Sequence, residues 1–360
     1  MRFIRNLALC LSIAAAPMYS GNAMADDAES GPVVPQNLLK LLHAPEIQAE
    51  LGLQPNDEKL LSLLREIDGP WWRSRNLPAD KQQATVAELE KKMLESLKSV
   101  LSDSEIKRLR EIEVQSQGTR ALSRPGIAKA IGLDGKQKRE ILLAFTETDG
   151  VARKLLDKKG NDPTLVSLLA TSRESEQKKI NELLTNPQRI ALSKVIGKPF
   201  DTANLKRVFP LAPELIDSGE WTGAAATSLA QQRGKVVLLH FYAFQCHNCV
   251  ANFNHYNRWH ETLSSKGVSV IGIQTPETAA ERDATLVKQA AKDRGFQFPV
   301  LIDVKSKNWD AWGNTMWPTV YVVDKNGYIR YWWQGELNWQ GATGDKSIES
   351  LVDELLAEAL

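Results

Sequence analysis

Cys246 and Cys249 stand three positions apart in Gln245-Cys246-His247-Asn248-Cys249, and the only other cysteine of the 360-residue chain is Cys10. Closely spaced cysteines serve as structural disulfides, as metal ligands or as a reversible dithiol couple. A structural disulfide gains from closing a long loop, because the entropy removed from the unfolded chain grows with loop length; this pair would staple almost nothing. A metal site needs further ligands, and His255 and His260 complete a C-x2-C-x5-H-x4-H set. Its gap is short of the usual spacing of about twelve, and on a helix those histidines point away from the cysteines. Covalent haem needs histidine directly after the second cysteine, where Val250 stands. Thiol-disulfide redox chemistry is the remaining use.

That chemistry needs one thiol held as a thiolate and a second within reach of it. The apolar run Val236 to Ala243, broken only by His240, suits a strand buried on both faces. Helical patterning follows from Cys249 to about Leu263, which puts Cys246 in the turn at a helix start and Cys249 in its first turn. Free backbone N–H groups and the positive end of the helix dipole favour a thiolate there, so Cys246 is the expected nucleophile. Further on come a strand at 268–273, a helix at about 279–294, a strand at 298–302 and a short helix at 307–313. A hairpin turning at Asn326-Gly327 and a helix from Ser347 to Leu360 close the pattern. C-x-x-C in such a βαβ setting is a redox signature.

Three segments carry a family likeness: Phe241 through Cys249, Val270-Ile271-Gly272-Ile273-Gln274-Thr275-Pro276-Glu277, and Trp317-Pro318-Thr319-Val320-Tyr321 with Asp324 and Gly327 behind. Over about Ala212 to Leu360 the chain resembles the redoxin branch of the thioredoxin superfamily, near TlpA-type proteins and the C-terminal domain of DipZ-type cytochrome-biogenesis proteins. The resemblance implies an α/β thioredoxin-like domain in which Cys246 attacks a partner disulfide and Cys249 resolves the mixed disulfide. It makes Pro318 a cis-proline beside the cysteines, presenting the backbone of Trp317 to substrate. His240 stands six residues before the first cysteine, where many relatives carry an acidic proton acceptor; imidazole could serve instead, or be hydrogen-bonded core. His247, if cationic, would lower the thiol pKa beside it, and if solvated would do little. Glu277 either borders the site or is a solvated loop carboxylate. No cofactor or metal is implied. The implied partners are protein thiols and disulfides, with an upstream membrane or thioredoxin-type electron donor, and the reductase direction is preferred. The competing readings are a redoxin-type thiol peroxidase, for which Phe244-Gln245 is a poor fit, and a non-catalytic helical binding protein with a redox or metal-binding appendage.

A chain of this length, 42% hydrophobic and 25% charged, suggests two domains. Residues 38–197 read as an all-α domain of two repeats, about 38–118 and 119–197. Leu41 to Leu53 parallels Ala121 to Leu133, each copy a proline-started helix ending at glycine, and Ser102/Glu105 and Thr185/Gln188 have capping-box spacing. A long amphipathic helix is expected over Pro78 to Val100. Trp71-Trp72 beside Pro70 is either a contact patch or packed core. Residues 198–234 form a connector leading into the thioredoxin-like domain at 235–360.

Met1-Arg2-Phe3-Ile4-Arg5, an apolar run from Leu7 to Ala16 and Ala23-Met24-Ala25 read as a signal peptide over 1–25, with a flexible lead-in at 26–37. The apolar run is short of the ~20 residues that span a bilayer, so no transmembrane span remains after cleavage. Export places the mature chain in the periplasm or another extracytoplasmic space. The formal net charge of +1 gives no footing for nucleic acid as a partner.

Overall fold

The computed structural model describes residues 38–54, 57–157, 162–202, 205 and 209–358. The expected signal peptide and lead-in lie outside the described residues. Two compact units interleave in sequence: one holds the chain up to Asp57 together with Lys92–Val208, the other Glu58–Lys91 together with Phe209–Leu360. Composition changes at Gly197, but packing divides the chain elsewhere, because Trp72, Leu215 and Leu229 share one core with the strands that follow. The helical stretch 58–91 and the latter part of the expected connector thus pack with the C-terminal fold. Among the described residues no helix is long and apolar enough to cross a membrane.

Among the described residues the helices before the sheet are α1 (Leu38–Leu41), α2 (Pro45–Glu50), α3 (Glu58–Ser74), α4 (Ala79–Leu97), α5 (Asp103–Gln117), α6 (Pro125–Ala130), α7 (Gly135–Asp157), α8 (Pro163–Leu183) and α9 (Asn186–Ile196). The repeat is visible in how they start and stop. Proline opens both α2 and α6. Gly52 and Gly132 follow with φ of 67° and 70°, a left-handed conformation that glycine adopts without a Cβ clash. The next N–H reaches back in each case, Leu53 to the Gln48 carbonyl at 2.8 Å and Leu133 to that of Ala128 at 2.9 Å. Both capping boxes form, with Ser102 and Glu105 starting α5 and Thr185 and Gln188 starting α9. In the second repeat the interior gathers Leu122, Ile131, Ile141, Phe145, Ile180 and Leu184.

The other unit is built on a six-stranded sheet. Its strands are β1 (Trp221–Thr222), β2 (Val236–Tyr242), β3 (Val268–Gln274), β4 (Val300–Ile302), β5 (Thr319–Val323) and β6 (Ile329–Gln334), in spatial order β1-β4-β3-β2-β5-β6. β2, β3 and β4 run parallel, while β5 lies antiparallel to β2, with Phe241 opposite Thr319. Helices α10 (His247–Leu263), α11 (Ala284–Asp293), α12 (Lys307–Trp312) and α13 (Gly344–Ala357) complete it. β2 is buried at all seven positions because both sheet faces are covered. Val236, Leu238 and Tyr242 enter the core that includes α10 and α13 residues, whereas Val237, Leu239 and Phe241 enter the core holding Trp72 and Trp312.

Two local features differ from the sequence pattern. β1 is only two residues long and sits at the sheet edge against β4. The helix expected over 279–294 breaks at Asp283, whose carboxylate accepts the N–H groups of Thr285 and Leu286 and starts α11 afresh after a short 3-10 turn at Ala280–Arg282. An aspartate offering its side chain to free N–H groups favours a helix start over a helix interior.

Candidate active site

The chain leaves β2 at Tyr242, turns through Ala243-Phe244-Gln245, and enters α10 with Cys246 as the N-cap, at φ −69° and ψ 116°. The Cys246 carbonyl accepts the N–H of Cys249 at 3.0 Å and of Val250 at 3.1 Å, which closes the first helical turn over the two sulfurs. Both cysteines are free thiols, Cys246 half-buried and Cys249 buried. Their environments push the two in opposite directions. The Cys249 thiol donates to Cys246 and holds it down to about 7; burial opposes this, the Cys249 and Asn248 N–H groups assist, and the Glu277 charge opposes. Burial, and then that same hydrogen bond, pushes Cys249 far up. At neutral pH the site therefore holds one sulfur that is about half ionised beside one that is protonated.

The remaining sequence-nominated residues fall into three groups. Pro318 follows a cis peptide bond from Trp317. Trp317 packs with Phe244 and Cys246 against the α10-side core, its indole stacked on Trp309 at 4.0 Å. His247 and Glu277 are exposed. His240 is fully buried in β2 and stacks on Tyr256 at 3.8 Å and Tyr242 at 5.1 Å, with the Phe298 ring edge-on at 5.4 Å. Neither ring nitrogen has a hydrogen-bond partner among the described residues. Burial pulls its pKa down to about 3, so the ring is neutral at physiological pH.

That displacement sets an acid limit on stability. The unfolded chain takes up the proton at the ordinary value of 6.5 and the folded chain only near 3. The contribution is therefore intact above 6.5 and is lost progressively as pH falls from 6.5 towards about 3. Urea titrations across that window should show a shallower decline for His240→Leu than for the wild type, and parallel slopes would contradict this account.

Glu281 and Asn252 were not legible as site residues. Glu281, fully buried in the turn after β3, accepts the Gln245 N–H on one oxygen at 2.7 Å and the Glu277 and Thr278 N–H groups on the other, each at 2.8 Å. One carboxylate thus ties the turn before Cys246 to the Thr275–Thr278 loop. Asn252, one turn beyond Cys249, donates to the Gly335 carbonyl at 3.1 Å and accepts the Leu337 N–H at 2.9 Å, fixing α10 to the loop after β6. Neither belongs to a local sequence pattern, since their partners lie far off or are backbone groups. Among the described residues no three His, Cys, Asp or Glu side chains are grouped to hold a metal ion.

The AhpC/TSA family matches residues 214–332. Protein DipZ of Mycobacterium tuberculosis is 34% identical over 152 residues, which cover 41% of this chain and 21% of DipZ. Thiol-disulfide oxidoreductase YkuV of Bacillus subtilis is 26% identical over 146 residues, covering 41% of this chain and 94% of YkuV. Thiol-disulfide oxidoreductase ResA of Geobacillus thermodenitrificans is 28% identical over 102 residues, 28% of this chain and 56% of ResA. The chain spans about a fifth of the length of DipZ.

Proposed function

We propose that this protein, whose C-terminal domain is a redoxin of the thioredoxin superfamily, is a thiol-disulfide oxidoreductase acting through Cys246 and Cys249. The observation that carries this is the split between the two sulfurs, an accessible one held at about 7 and a buried one held protonated. The Cys246 thiolate attacks a partner disulfide, and a Cys246–partner bond forms as the partner's other sulfur leaves as thiolate. Cys249 then attacks the Cys246 sulfur, its proton passing to a departing partner thiolate. The Cys246–Cys249 disulfide forms, and the partner leaves with both cysteines reduced and two electrons gained. We assign His240 to the aromatic core rather than to proton transfer, because a ring with a pKa near 3 is too weak a base to ionise a thiol at neutral pH.

Reduction of protein disulfides is the direction we favour, with an upstream dithiol donor restoring the pair. The working site is extracytoplasmic, by the reading of residues 1–25 as an export signal, and apo-cytochrome c or another cysteine-bearing exported protein is the class of substrate. Trp317 and Pro318 line the substrate approach, with His247 and Glu277 at its exposed edge.

The test couples reactivity to turnover. Iodoacetamide alkylation of Cys246 should rise with pH with a midpoint near 7, since the depressed thiol is already half ionised there. Insulin reduction driven by dithiothreitol should track the same midpoint. An alkylation midpoint in the ordinary thiol range near 8.5, or insulin reduction that survives Cys246→Ala, would remove the basis of the assignment.

A further inference from the structure

The sequence singles out Trp71-Trp72 beside Pro70, and disulfide exchange alone gives that segment no task. Within the C-terminal unit the end of α3 meets α12, a helix of only six residues. So short a helix is not stable by itself and needs both ends held. Its start is held by Asp303, whose carboxylate accepts the N–H groups of Lys307 and Asn308 at 2.9 Å and of Trp309 at 3.1 Å. Its last carbonyls, which an α-helix leaves without partners, are filled from residues 72–76. The Trp72 indole N–H donates to the Trp312 carbonyl at 2.9 Å. Arg75 donates to the carbonyls of Trp312 at 3.1 Å and Gly313 at 2.9 Å, and Asn76 donates to that of Gly313 at 2.8 Å. The Arg75 guanidinium lies 3.8 Å over the Trp72 ring, which orients it, and a cation at a helix C-terminus suits the dipole.

α12 leads directly to the loop that carries Trp317 and Pro318. Trp309 on α12 forms the stacking face for Trp317, and Tyr321, which Arg75 also reaches at 3.3 Å, donates to Asn314 at 2.8 Å. The loop is therefore fixed from below by residues that lie more than 230 positions earlier in the chain.

We infer that Trp72, Arg75 and Asn76 are positioning residues of the redox site, setting the Gly313–Pro318 loop that receives a protein disulfide while leaving the reactivity of Cys246 to the start of α10. This rests on the proposed exchange function for what the loop receives. A folded unit in which the segment merely adds stability would lose or keep both properties together; a positioning role separates them.

The experiment uses the full chain labelled with 5-fluorotryptophan, with Trp309 and Trp317 resonances assigned by Trp→Phe replacements. Arg75→Ala should shift both resonances and raise KM for insulin about tenfold, the scale expected when a binding element is displaced by a fraction of an ångström. The pH midpoint of Cys246 alkylation should stay in place, and Arg75→Lys should recover part of the KM. If Arg75→Ala does not fold, Trp72→Phe, which removes one N–H and keeps a ring, reads the same quantities. Unchanged resonances with unchanged KM would overturn the inference, as would loss of alkylation and turnover in equal measure. Should the wild type reduce no insulin at all, the exchange reading fails by itself, and the fluorine shifts still decide whether this segment sets the loop.

Discussion

Cys249→Ser should accumulate a covalent adduct between Cys246 and its protein partners, stable on non-reducing gels and released by dithiothreitol, whereas Cys246→Ala should form none. The asymmetry follows from where the two sulfurs sit. Cys246 caps α10 with its sulfur partly exposed, while Cys249 is buried behind it in the first turn. A bulky disulfide has access only to the first. Once the mixed disulfide forms, its resolution requires the buried sulfur, and serine leaves the bond in place. Cys246→Ala should reduce insulin turnover by at least a thousandfold, because the remaining thiol is pushed far up by burial and is almost wholly protonated at neutral pH. Cys249→Ser should leave the first attack fast, because its hydroxyl can still donate to Cys246, whereas Cys249→Ala should raise the pKa of Cys246 towards its ordinary value, since the leading cause of the depression is the Cys249 side chain's hydrogen bond. Equal trapping by the two variants, or adducts that map to neither cysteine, would defeat the proposed order of attack.

Glu281→Ala should be the most damaging change outside the cysteines. Its buried carboxylate accepts three backbone N–H groups from two segments, and a hydrogen bond to a charged group is worth roughly 1.5–3 kcal/mol. Several kcal/mol of the unit's stability are therefore at stake, and Glu281→Gln should lose about 2 kcal/mol, because its amide nitrogen must face an N–H donor on one side. Urea unfolding of the reduced protein followed by tryptophan emission measures the loss. Amide hydrogen exchange locates it, with the Gln245, Glu277 and Thr278 amides expected to lose protection before the sheet does. Wild-type protection at those three amides in Glu281→Gln would show that the carboxylate does not brace the turn before Cys246.

The sequence by itself determined the elements whose causes are local. An eight-residue apolar run fixes a strand covered on both sides, and the helical spacing after it places Cys246 at a helix start, because dipole and free N–H groups depend only on chain direction. Proline and glycine placed the ends of α2 and α6, and the Ser102 and Thr185 boxes placed the starts of α5 and α9, within a few residues of chain. Tertiary structure alone decided the rest. By its place in the chain His240 reads either as a proton acceptor or as hydrogen-bonded core, and only the packing shows it enclosed by the rings of Tyr242, Tyr256 and Phe298. Glu281 gives no sign of burial until the turn before Cys246 folds over it. Residues 58–91 read as part of the helical half, and only packing reveals that Trp72 and Arg75 belong with the redox unit. Those outcomes depend on which distant surfaces meet and how completely they exclude water, and no short-range pattern of residue types encodes that.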